Sequence, residues 1–227
     1  MRRMLLTVAV AAVALWGLPR AQATSLTPGG SVTPGSTAPS GSNLAVVADS
    51  GSLSYTLTNN GTTTGTGTVR EYVLKGDTTN SSGGLDFVFQ VKVTSGVLSS
   101  LSLSDFSGVT KMDASQVSEA ITLGSGGTIL ATGSKKASSV DWSSDGFSVT
   151  SNFNPSASSA TTYVIVIRTD KTQYTTASID LQGRGTASKS GFAPTPEPAS
   201  MVLLGGCFAG LAGAGLWRRV RRRGQAV

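Results

Sequence analysis

Asp141 and Asp145, in the stretch "DWSSDG", are the two carboxylates of the chain that most resemble a catalytic pair. Glycoside hydrolysis needs two such groups around one bond, the first as acid and the second as base or nucleophile. Trp142 beside them offers a flat ring of the kind that stacks on sugars. The same stretch has a plainer reading. Asp, Ser and Gly are the residues of a tight turn, and a tryptophan in a β-rich chain belongs in a core. The spacing also departs from that of a Ca²⁺-binding loop. The repeated glycines of "GTGTG" lack the spacing of a dinucleotide fingerprint and precede no helix.

Other chemistry is excluded by composition. The 227 residues include no histidine, which removes Ser-His-Asp and Cys-His catalysis and histidine-bound zinc. The one cysteine, Cys207, lies in an apolar run near the C-terminus and has no partner for a disulfide. Asn60 and Asn80 fit a glycosylation pattern that a Ser/Thr-rich chain produces by chance. The expectation is therefore a protein that is not an enzyme, with no catalytic, cofactor-binding or metal-binding residue.

The elements available to position any site are strands. "SLSYTLTN", "TGTVREYVLKG", "GLDFVFQVKVTSG" and "SSLSLSDFSG" alternate or are rich in β-branched and aromatic residues. In the third, Leu85, Phe87, Phe89, Val91 and Val93 fall on one face, with Asp86, Gln90 and Lys92 on the other. "AITLG", "SSVDWSS", "DGFSVTSNF", "TTYVIVIRTD" and "ASIDLQGRG" follow, separated by turns such as Asn60-Gly61 and Ser144-Asp145-Gly146. "YVIVI" is apolar on both faces and predicts a central strand. Only "DASQVSEAITL" shows helical spacing. Eight or nine short strands without crossover helices predict an all-β domain over residues 44–192, an antiparallel β-sandwich of Ig-like or jelly-roll-like type. Residues 24–43 are Pro, Gly, Ser and Thr with few apolar side chains, and read as a linker or a loosely held first strand.

Charge separates this domain from its ends. The formal net charge is +6, yet residues 24–195 carry ten Lys/Arg against eleven Asp/Glu. No basic stripe remains there to follow a phosphate backbone, so no nucleic-acid partner is expected. Residues 1–23 read as a secretory signal peptide: Arg2 and Arg3, an apolar stretch over 4–18, then Ala21 and Ala23 flanking a cleavage site. Residues 199–217 are nineteen without a charge, about 28 Å as a helix and so close to a bilayer's hydrocarbon thickness. They read as a single transmembrane helix. Arg218, Arg219, Arg221, Arg222 and Arg223 follow as a stop-transfer cluster on the cytoplasmic side.

Pro196-Glu197-Pro198, the apolar span and the arginine cluster together resemble the PEP-CTERM sorting signal over residues 193–227. The stretches "GTVREYVLKGDTTNSSGGLDFVFQVKV", "LSLSDFSG", "TYVIVIRTDKTQYT" and "DLQGRGTASKSGFAPTPEP" loosely resemble the ectodomains of that family. The resemblance implies an exosortase substrate. Pro196, Glu197 and Pro198 would be its recognition element, residues 199–217 a transient anchor in the inner membrane, and the protein would be handled by signal peptidase and then by exosortase. The expected outcome is export to the cell surface or an extracellular polysaccharide or biofilm matrix, with no catalysis. Two alternatives stand beside it: a carbohydrate-binding or adhesin-like domain using Trp142, Tyr72 and Tyr163, and a permanently anchored single-span membrane protein.

Overall fold

The structure, a computed structural model, describes residues 23–195. The residues expected to carry sorting, Pro196, Glu197, Pro198, Arg218, Arg219, Arg221, Arg222 and Arg223, lie outside the described residues, as do the expected transmembrane segment and most of the expected signal peptide, Ala21 included. Among the described residues there are fifteen strands and no helix. In chain order they are β1 (Thr24–Leu26), β2 (Ser31–Val32), β3 (Ala45–Asp49), β4 (Leu53–Asn59), β5 (Thr62–Lys75), β6 (Asp86–Ser95), β7 (Val97–Leu103) and β8 (Met112–Val117). Then come β9 (Ile121–Thr122), β10 (Thr128–Ile129), β11 (Ser139–Trp142), β12 (Val149–Ser158), β13 (Val164–Thr169), β14 (Tyr174–Gly183) and β15 (Thr186–Pro194).

Thirteen strands share one antiparallel sheet, in the order β1-β8-β13-β6-β5-β4-β15-β14-β7-β12-β11-β2, with β3 added beside β5. Strands β9 and β10 form a separate hairpin. The two ends of the path, β1 and β2, are consecutive in the chain, so the sheet is nearly closed into a barrel. The sandwich expectation implies two sheets; one continuous ladder is found. It is thinnest between β4 and β15, where the single pair Thr58 and Thr186 carries it.

Local sequence accounts for much of this. Strands β4 and β5 are joined by Asn60 and Gly61, at φ 48° and 79°. Positive φ at both positions is what a two-residue hairpin turn needs to match strand twist. Strand β6 sends Phe87, Phe89, Val91 and Val93 into the main core, where they meet Ile165 and Ile167 of β13, Leu101 and Leu103 of β7, and Ile179 and Leu181 of β14. Strand β13 is buried at all six positions and paired on both sides, as "YVIVI" predicts.

Two expectations change. Asp86 and Gln90, on the polar face of β6, are buried. A second apolar layer covers that side: Tyr72, Leu74, Val88, Val164 and Val166 pack beneath Leu44, Ile121 and Ile129. The stretch with helical spacing is strand instead. Ladders from β1 and β13 to β8 outweigh the weak propensity of a short segment.

Residues 24–43 are not a free tether. Strand β1 pairs with β8 and β2 with β11. Gly35 bonds to β8 on both sides, its N–H to Ala114 O at 3.3 Å and its carbonyl to Gln116 N–H at 2.7 Å. The first-strand alternative describes the segment better than the linker. Its backbone groups find partners on β8 and β11, although it has few apolar side chains to bury.

Candidate functional site

The carboxylates singled out by sequence are committed to their neighbours. Asp141 accepts hydrogen bonds from the Ser31 hydroxyl and, at 2.5 Å, from Asn152 Nδ2. Asp145 accepts from Ser143 Oγ at 2.6 Å and Phe147 N–H at 2.9 Å, and the Ser143 bond leads in holding its carboxyl below the usual range. Asp145 organises the β11–β12 turn, as the plainer reading has it, while Asp141 is a strand residue that ties β11 to β2 and β12. Trp142 is 2% exposed, and its Nε1–H donates to Gly146 O at 3.0 Å. Tyr72 is also buried, while Tyr163 is half-buried. The aromatic rings named for sugar stacking are therefore mostly core. Among the described residues, no group of three or more His, Cys, Asp or Glu is placed to hold a metal ion.

A buried ionic centre stands where sequence offered only strand ends. Arg168, at the end of β13, and Asp77, just after β5, have no side-chain exposure and meet at 2.9 Å through Nε and Oδ2. Arg168 Nη1 donates to Ser115 Oγ at 2.6 Å, and Nη2 to Thr37 O and Thr79 Oγ1, both at 3.0 Å. Asp77 Oδ1 accepts from Ser40 N–H at 2.9 Å and Thr79 N–H at 2.8 Å. Burial acts to raise the Asp77 carboxyl, but the bonds from Ser40 and Thr79 outweigh it and hold the group low. Asp86, opposite Arg168 in the ladder, accepts from Asn80 Nδ2 at 2.8 Å. Its other oxygen has no partner among the described residues. Burial, then the negative Asp77, push the Asp86 carboxyl up to about 8. The centre thus holds one guanidinium and one carboxylate, with a second carboxyl pushed towards its neutral form. That satisfies the charge balance a dry interior demands. It ties the N-terminal segment, the β5–β6 loop and strands β8 and β13 together.

Glu71 is a second buried acid, on the core face of β5. Its Oε2 accepts from Phe192 N–H of β15 at 2.8 Å, while Oε1 has no partner among the described residues. Burial pushes it up to about 8, against the opposing Phe192 bond. It reaches across the β4–β15 opening and holds an edge amide that β4 leaves unpaired.

A groove of about 450 Å³ lies on the outer side of β5 and β6, smaller than a concavity of about 680 Å³ along β4, β14 and β15. Arg70, Tyr72, Gln90 and Lys92 lie along it, and residues 128–131 form one wall. Gln90 clasps that wall, donating from Nε2 to Ala131 O at 2.7 Å and accepting from Ala131 N–H at 3.0 Å. Leu130 in the wall has φ 62°, a left-handed conformation that branched, bulky residues seldom adopt. Arg70 forms a two-bond pair with Asp49, at 3.0 and 2.6 Å, and its guanidinium lies 4.7 Å above the Tyr72 ring. The Arg70 bond is the leading reason that Asp49 is held below the usual carboxylate range.

Of these residues the sequence offers Tyr72 as a candidate ring and places Gln90 and Lys92 on the polar face of β6. Arg70, Lys92 and residues 128–131 lie on three separate elements, so spacing alone does not bring them together. Comparison of the chain with protein-family models, with curated proteins and with solved structures returns no match.

Proposed function

We propose that the chain is a non-catalytic exported protein, sorted by an exosortase to the cell surface or an extracellular polysaccharide matrix. The observation that carries this reading is the order of three parts in the last residues of the sequence: Pro196-Glu197-Pro198, an uncharged span over 199–217, and five arginines between 218 and 223. A signal peptide over residues 1–23, cleaved after Ala23, agrees with the same topology. Signal peptidase and exosortase are the processing partners, and the inner membrane is a transient one.

Two features of the described domain support the reading. The last strand, β15, ends at Pro194, so a single residue separates a folded β domain from the Pro-Glu-Pro. The two carboxylates singled out in the sequence, Asp141 and Asp145, are engaged by neighbouring side chains. We read the domain as a flattened, sandwich-like ectodomain, with the single pair at β4 and β15 marking the join of its two halves.

Fractionation tests the sorting. In an exosortase-competent host the protein should leave the inner membrane, and in a host lacking the exosortase it should stay there. Retention in both hosts would establish the permanently anchored alternative instead.

A further inference from the structure

We propose that the groove on β5 and β6 binds an acidic oligosaccharide whose carboxylates are held by Arg70 and Lys92. This goes beyond the sorting reading and does not depend on it. The groove is rich in hydrogen-bond donors. Arg70 uses Nε and Nη2 on Asp49, and its Nη1 has no hydrogen bond among the described residues. Lys92 is exposed and has no ion pair among the described residues. The hydroxyls of Ser52, Thr68, Thr128 and Thr161 complete the lining. Asp49 lies outside the lining and pairs with Arg70, so Lys92 carries the groove's uncompensated charge while Arg70 offers its free Nη1 donor. Such a lining complements a ligand with carboxylates and many hydroxyls.

Preorganisation points the same way. Asp49 holds the guanidinium at two points while the Tyr72 ring lies beneath it, so the plane of Arg70 is set before any ligand arrives. Tyr72 itself is 5% exposed, so the grip is polar and not by ring stacking. The wall over residues 128–131 keeps Leu130 left-handed, and Gln90 holds it there by two bonds to Ala131. Strain retained by specific bonds is characteristic of ligand clamps. A volume of about 450 Å³ is within the range of small-ligand sites.

The contrast with the opposite side of the molecule is in charge. There the cross-strand row Ser31, Asp141, Thr150, Ser102, Asp180, Ser188 carries acids and no base.

The test is calorimetric titration of the full chain in detergent with three probes: an oligogalacturonate, a neutral oligosaccharide of equal length, and polyphosphate. Oligogalacturonate should bind, and Lys92→Gln should weaken it about tenfold, as loss of one charge-assisted contact does. The variant's unfolding midpoint should match that of the parent. No binding of oligogalacturonate, or binding untouched by Lys92→Gln, overturns the proposal. So does a neutral probe that binds as tightly, or polyphosphate that binds more tightly. Because the full chain is used, a protein that binds but is never released leaves this groove standing and removes only the sorting reading.

Discussion

Removing the guanidinium of Arg168 leaves Asp77 charged and unpaired in a dry interior. Arg168→Leu should therefore destabilise the domain by about 3–5 kcal/mol, the usual cost of breaking a buried pair. Arg70→Leu removes an exposed pair and should cost about 1 kcal/mol or less. Urea denaturation of the two variants separates these outcomes, and equal costs would contradict the burial argument. The buried acids make a second prediction. Glu71 and Asp86 titrate near 8 in the fold, against ordinary values of 4.5 and 3.8. Between those limits the folded state holds protons that the unfolded chain has released, so stability falls as pH rises. Each group contributes a slope of up to about 1.4 kcal/mol per pH unit. Asp77, held low, acts oppositely: its share is present above the ordinary value of 3.8 and is lost as pH falls through its folded value. Glu71→Gln and Asp86→Asn should each flatten the fall in urea midpoint between pH 5 and 8; unchanged slopes would contradict the assignment. None of this centre was legible from spacing. The partners of Arg168 stand at 37, 77, 79 and 115, brought together only by the ladder. Asp86 and Gln90 alternate as a solvent face should, and only the second layer over them reverses that inference.

At the scale of elements, β15 is the strand on which closure depends. Its outward residues Thr186, Ser188 and Ser190 are exposed, and its inward ones include only small Ala187, Gly191 and Ala193 beside Lys189. Alternation of small with polar residues gives no hydrophobic period, which is why no strand was read there. Glu71 takes the Phe192 amide in place of a backbone partner. Gly191 is required by that contact. A Cβ there would lie 2.3 Å from Glu71 Oε2 and 2.5 Å from Ile179 Cδ1. Gly191→Ala should cost about 1–3 kcal/mol, as overpacking of a core does. The cost should be smaller in a Glu71→Ala background, and a double-mutant cycle on urea midpoints checks the coupling. Simple additivity would contradict the contact. Where the hydrophobic period was strong, as in β6 and β13, the elements were legible. Where pairing alone decided, as in β8, the period misled.

Across the whole molecule, all-β class and antiparallel pairing follow from the turn-separated alternation. Closure of the sheet on itself does not, because it depends on Thr58 meeting Thr186 and on β1 lying next to β2. The described domain is balanced in charge and its sheet nearly closes around its own core, while the basic and apolar extremes of composition are confined to the ends. The proposed division of labour follows: the ends direct transport, and the domain is what is delivered. Mass spectrometry of the exported protein from an exosortase-competent host tests this most directly. The account predicts an N-terminus at Thr24 and a C-terminus at or near residues 196–199. An exported chain intact through Val227 would contradict it.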